Sequence, residues 1–298
     1  MAVRRGELGP LLALLAMTAA WGSTFFMIKD VVTRIPVPDL LTVRFAIAAL
    51  ALAVISGRRL RMSTVTLRRG LLLGLLYGVA QLLQTFGLAH TAASVSGFLT
   101  GLYVVLTPLL SAMILRTRIP PAVWAASVLA TVGLGVLSLQ GFAIGYGELL
   151  TVASAVVYAL HIIALGRMSE PGTALQLSVV QMATIAVVCA FAAVPGGIQL
   201  PTSGIDWLIV IYLALVAGAL TMLLQTWAQA RVEASRAAVI MAMEPVWAAA
   251  FAVAFGGESL TGRMIIGGGA ILAAMYLVEL APNRRVVSRG GRQGRHRG

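Results

Sequence analysis

Long apolar runs recur from one end of this chain to the other, and they decide what it can fold into. Ten can be marked, at residues 8–28, 38–56, 70–90, 94–115, 121–140, 147–168, 173–194, 205–227, 236–256 and 262–281. A helix needs about 20 predominantly apolar residues to cross the hydrocarbon core of a bilayer. Each run is close to that length, and no link between them is large enough for a water-soluble domain. Backbone amides in hydrocarbon have no water to bond, so a spanning segment is either a helix or part of a closed barrel. Barrel strands alternate in polarity over about 10 residues, which these continuous runs do not. A mean hydropathy of +0.94 and a charged fraction of only 11% agree with an all-α integral membrane protein of ten helices. The first run carries Trp21 and polar residues and lacks a small-x-small cleavage site, so it reads as a span and not as a removed leader.

A net charge of +12 would suit nucleic acid, but its distribution reads as topology. With the N-terminus in the cytoplasm, 18 of the 22 Lys and Arg residues fall on the inner side. Lys29, Arg34 and Arg263 fall outside, and Arg44 lies within a run. This positive-inside asymmetry predicts cytoplasmic termini, with anionic lipid at the basic face and no nucleic-acid partner. The expected setting is a bacterial inner membrane, with a monomer favoured. The tail at 282–298 is rich in Gly and Arg and is expected to be disordered. One cysteine, Cys189, forbids an internal disulfide and is expected to be a small buried side chain. No metal site or cofactor is expected.

The chain also repeats itself. SVSGFLTGLYVVLTPLLSAMILRTRIP from 94 lies over SRAAVIMAMEPVWAAAFAVAFGGESLT from 235 without gaps, at an offset of 141. The same offset superposes Gln84-Thr85 on Gln225-Thr226, and an earlier offset of 137 places Trp21 over Tyr158 and Arg44 over Gln181. A longer first-half loop between Arg58 and Arg69 accounts for the difference. Two repeats follow, residues 8–140 and 147–281, each with five helices. An odd number inverts the second repeat in the membrane. Inverted repeats are a signature of secondary transporters, whose site lies between the halves near the midplane.

WGSTFFMIKDVV, followed by LLTVRFAIAALAL in the second run, resembles the opening of the EamA-type transporters of the drug/metabolite transporter superfamily. ASVSGFLTGLYVVLTPLLSAMIL resembles the end of their first repeat. MEPVWAAAFAVAFGGESLTGRMIIGGGAILAAMYL is similar to the end of their second, with the Gly257–Thr261 pattern. The resemblance covers about residues 8 to 281 and rests on order and spacing more than on any one motif. It implies ten helices in two inverted units and export of small metabolites. Within the family the chain looks most like bacterial amino-acid exporters, aromatic ones included.

Polar residues within spans are costly and tend to face the bundle interior. Here they fall on helical stripes: Tyr77, Gln81, Gln84 and Thr85; Ser96, Thr100, Tyr103 and Thr107; Thr151, Ser154, Tyr158 and His161; Thr221 and Gln225; and Trp21 with Thr24, Phe25 and Ile28. They can line a cavity that bonds a zwitterion and stacks on its side chain, or they can join helices to one another. Glu244 and Pro245 are adjacent in the ninth run. The carboxylate can take a proton or meet a substrate ammonium, or it can serve structure alone; the proline marks a bend. Pro108 is expected to break the fourth run as a second hinge. Arg44 can attract a carboxylate, pair with Glu244 or snorkel to the head groups. Lys29 and Asp30 are expected to be solvated, and His161 is a candidate for proton transfer.

These features predict a secondary exporter of small metabolites working by alternating access, amino acids first. No G-x-x-x-x-G-K-[ST] loop is present, so ATP drive by this chain has no support. Uniport and proton antiport both stay open. The alternatives are export of drugs, nucleotides or sugars, an intramembrane enzyme, a non-transporting receptor and a passive channel. No H-E-x-x-H pair or other catalytic constellation favours the enzyme.

Overall fold

In the computed structural model, residues 8–91, 93–116, 118–138, 145–255 and 259–280 are described, and no strand occurs among them. Fourteen helices follow one another: α1 (Leu8–Gly22), α2 (Phe25–Val31), α3 (Val37–Ser56), α4 (Thr64–His90), α5 (Ala93–Gly101), α6 (Tyr103–Leu115) and α7 (Pro121–Ser138). Then come α8 (Tyr146–Met168), α9 (Ala174–Ala193), α10 (Gly204–Ala214), α11 (Thr221–Gln229), α12 (Ala234–Met241), α13 (Glu244–Phe255) and α14 (Gly262–Leu280). They build the ten expected spans because four spans are irregular. The first divides between α1 and α2, the fourth between α5 and α6, and the ninth between α12 and α13. In the eighth, a π-helical turn, Leu215–Leu220, joins α10 to α11.

Seven spans are long and apolar enough to cross a membrane, and two shorter apolar stretches lie at Pro121–Val136 and Gly262–Val278. The divided ninth span completes the set. The basic tail, the first seven residues and part of the Gly257–Thr261 pattern lie outside the described residues. One boundary differs by more than a turn. Helix α4 begins at Thr64 and not near 70, because the Ser63 hydroxyl accepts the Thr66 N–H at 3.1 Å and caps it. Arg68 and Arg69 therefore belong to a helix and not to a loop.

The breaks have local causes. A proline ring collides with the carbonyl four residues earlier, so Pro245 is incompatible with a helix continuing through Met241. The chain turns at Ala242 and Met243 and restarts with Glu244. Pro245 then sits in the first turn of α13, where a missing N–H costs no helical bond. Pro108 behaves differently from the expectation. It lies inside continuous α6, and the fourth span turns at Leu102, directly after Gly101. The break falls upstream of this proline as well.

Packing repeats with the sequence. The first span lies on the eighth and ninth, and the sixth span lies on the third and fourth, which are their reciprocals. Second packs on seventh and fifth on tenth, each pair its own reciprocal. Close approach is set by small residues. A methyl group at Gly74 would stand 2.5 Å from Thr184 Cβ and 2.9 Å from the Gln181 carbonyl, so α4 and α9 touch backbone to backbone. At Gly133 it would meet the Gly267 carbonyl at 2.8 Å, so part of the Gly267-Gly268-Gly269 run joins α7 to α14 within the chain. Cys189 is fully buried on α9.

Candidate functional site

The broken ends meet around a cavity of about 620 Å³, its mouth included. The first span gives Trp21, Thr24, Phe25 and Ile28, and α3 gives Arg44. Helix α4 gives Tyr77, Gln81, Gln84, Thr85 and Leu88; Thr100 and Tyr103 flank the break in the fourth span. The second repeat gives Tyr158 and Ile162 from α8, Gln225 from α11, and Met241 and Glu244 from either side of its own break. Both repeats therefore build one cavity. Trp21 and Tyr158, Phe25 and Ile162, Gln84 and Gln225, Thr100 and Met241, and Tyr103 and Glu244 stand at matching positions.

One wall is a chain of hydrogen bonds. Gln81 Nε2 donates to the Tyr158 hydroxyl at 2.7 Å, which donates to Gln84 Oε1 at 2.8 Å. Gln84 Nε2 donates to Thr100 Oγ1 at 3.2 Å. Tyr77 packs edge-to-face on Tyr158 with centroids 5.5 Å apart, a favoured aromatic geometry. The chain joins α4, α5 and α8, so a displacement of one is felt by the others.

The π turn anchors two residues of the lining, Trp21 and Arg44, from behind. Such turns are frequent at functional sites. Trp21 Nε1 donates to the Ala217 carbonyl and to Thr221 Oγ1, both at 3.1 Å. Arg44 Nε donates to the Leu213 carbonyl at 3.2 Å. Its Nη2 reaches the Ala217 carbonyl only at 3.5 Å, at the limit of a hydrogen bond. The guanidinium also stands 4.8 Å from the centre of the Phe45 ring. Arg44 is 3% exposed, so it does not snorkel. Its head group turns inward, toward carbonyls at the end of α10 and in the π turn.

Glu244 is 9% exposed and faces the cavity. The ion pairs among the described residues are Arg34–Asp30, Arg34–Asp206 and Arg69–Glu170. The expected pair between Arg44 and Glu244 is not formed. One cation and one anion line the same cavity, each without an ionic partner among the described residues.

Three candidates lie off the lining. His161 is wholly buried, its Nε2 2.9 Å from Gln181 Oε1 and its ring packed on Tyr77. It stands behind the aromatic wall, so the stripe position that suggested proton transfer does not bring it to the cavity. Pro245 and Pro108 shape helices without lining anything. Lys29 corrects another expectation. Its ammonium donates to the Leu88 and Thr91 carbonyls at 2.7 and 2.8 Å and so caps the C-terminus of α4. Such a cap is favoured because cations suit helix C-termini. Sequence reasoning missed the π turn, whose only signal is the small-residue run Ala217-Gly218-Ala219.

A membrane-embedded bundle of two related five-helix halves, enclosing a polar and aromatic cavity at broken helices, has the architecture of a secondary transporter. The comparisons agree. The model of the EamA-like transporter family matches twice, at residues 8–139 and 145–280, and the chain belongs to that family. An uncharacterized transporter of Archaeoglobus fulgidus is 31% identical over 271 residues, covering 90% of this chain and 84% of its own. One solved crystal structure superposes with a TM-score of 0.76 over 94% of this chain and 99% of its own, at 20% identity. That likeness speaks to the fold.

Proposed function

We propose that this protein is a secondary exporter of small amphiphilic metabolites, amino acids including aromatic ones, working by alternating access. The cavity carries the reading: it lies where both repeats break their fourth helix, at Leu102 and at Ala242-Met243, and it is lined by matched residues of each. Two related halves around one site can exchange conformations and open it to either side. The lining supports the substrate class. It combines aromatic faces at Trp21, Tyr77, Tyr103 and Tyr158 with amides at Gln81, Gln84 and Gln225 and one charge of each sign. A zwitterion with an apolar side chain is complementary to that set. The charge distribution along the sequence supports cytoplasmic termini in a bacterial inner membrane, with anionic lipid at the basic face.

The test is uptake of labelled amino acids by proteoliposomes, with small, aliphatic and aromatic side chains in parallel and with and without a pH gradient. Saturable uptake and counterflow against excess unlabelled substrate are expected. Folded protein that moves none of them overturns the amino-acid reading, and flux without saturation or counterflow overturns the carrier.

A further inference from the structure

We propose that Arg44 receives the anionic end of the transported molecule and Glu244 its cationic end, so that the cavity selects zwitterions over plain amines and plain acids. This rests on the transport reading above and deepens it. A charge removed from water needs a partner of opposite sign or a full set of hydrogen bonds. Arg44 has five N–H donors in a planar fork. Among the described residues it commits Nε to the Leu213 carbonyl at 3.2 Å and makes only a 3.5 Å approach to Ala217. The fork matches a carboxylate, which it can hold by two parallel bonds. A ligand carboxylate would also draw the guanidinium away from the π turn, so occupancy of the cavity would reach the eighth span directly.

Glu244 is the complement. Its carboxylate takes no hydrogen bond or ion pair among the described residues and begins a half-helix at the cavity wall. The repeat identifies both as additions to a neutral scaffold. Gln181 occupies the position matching Arg44, and Tyr103 the position matching Glu244. A purely structural charge is held by an ionic partner or a full set of hydrogen bonds. Among the described residues Arg44 has the Leu213 and Ala217 carbonyls and the Phe45 ring but no anion, and Glu244 has no cation.

The experiment is counterflow in proteoliposomes, with competition by matched sets: alanine, ethylamine and propionate; leucine, isopentylamine and 4-methylpentanoate; phenylalanine, phenethylamine and 3-phenylpropionate. In the wild type each amino acid should compete about tenfold or more better than its amine or its acid, a difference of about 1.4 kcal/mol. Arg44→Gln should erase the preference over the amine and keep the preference over the acid. Glu244→Gln should do the reverse. Arg44→Lys, which retains the charge if Gln destabilises the fold, should weaken competition and keep the preference over the amine. Equal loss for all three members of a set in the Arg44 and Glu244 variants overturns the assignment and leaves the transporter standing. Wild-type protein without counterflow for any of the three amino acids overturns the assignment together with the amino-acid reading.

Discussion

Spans four and nine break at matching points, yet what restarts each helix differs. Tyr103 begins α6 and Glu244 begins α13, and both reach the same cavity. The seams show a similar contrast. Gly70, Gly74 and Gly78 on α4 press against α9, while the matching positions of the eighth span hold Ile211, Leu215 and Ala219, at the end of α10 and in the π turn. Symmetry is kept where the shape of the pathway is set, at the breaks and the lining pairs. It is abandoned where a charge enters or a seam must be tight. The first repeat thus supplies the tight glycine seam and the cation. The second supplies the π turn and the anion.

Breaking the tight seam should have the largest effect. Gly74→Val forces side-chain atoms into Thr184 and the Gln181 carbonyl. Overpacking a well-packed contact costs about 1–3 kcal/mol, and each kcal/mol lowers Tm by about 2–4 °C in a chain of roughly this size. Thermal unfolding in detergent should show a drop of several degrees. Leu215→Val, at the matching and partly exposed position, should change it far less. Equal losses at the two positions would mean that the seams do not differ.

Making the breaks alike comes second. Glu244→Tyr copies the first repeat and should reduce amino-acid transport by about tenfold or more with the fold retained, the scale of one lost charged contact. Glu244→Gln separates the anion's two possible duties. If the carboxylate also carries protons, this variant flattens the dependence of transport on pH; an unchanged profile in folded protein limits Glu244 to binding.

Much of the fold was legible because membranes punish ambiguity. A span must be long, apolar and helical, so ten of them and their two repeats could be read from runs and offsets alone. Stripes of Tyr, Gln and Thr at helical spacing placed Tyr77, Gln81, Gln84, Thr100, Tyr103, Tyr158 and Gln225 on inward faces, and the structure brings them together. Legibility failed where one helix depends on another. His161 shares the Tyr158 stripe but is hidden by Tyr77 of a neighbouring helix. Arg44 looked free to snorkel because carbonyls at Leu213 and Ala217, far away in sequence, cannot be seen from its own span. Pro245 marks a bend as its clash with the preceding turn predicts, whereas Pro108, expected as a hinge, lies inside continuous α6 and the break falls upstream at Leu102.

The lining pair Trp21 and Tyr158 gives the next test. Both are aromatic at matching positions, but Trp21 is anchored to the π turn and Tyr158 to the amides of α4. Trp21→Ala removes a stacking face as well as two hydrogen bonds, and should weaken transport of aromatic amino acids more than of small ones. Aromatic contacts are worth about 0.5–1.5 kcal/mol beyond area, so the extra loss should be about two- to tenfold; equal loss across side chains would argue against stacking. Tyr158→Phe should have the smallest effect, because it keeps the ring and removes only the hydroxyl. Bonds between membrane helices average about 0.6 kcal/mol, less than a threefold change for each of the two that Tyr158 makes. That loss should fall equally on all amino acids. If Tyr158→Phe instead discriminates among side chains as Trp21→Ala does, the two positions act alike on the substrate and the lining is symmetric after all.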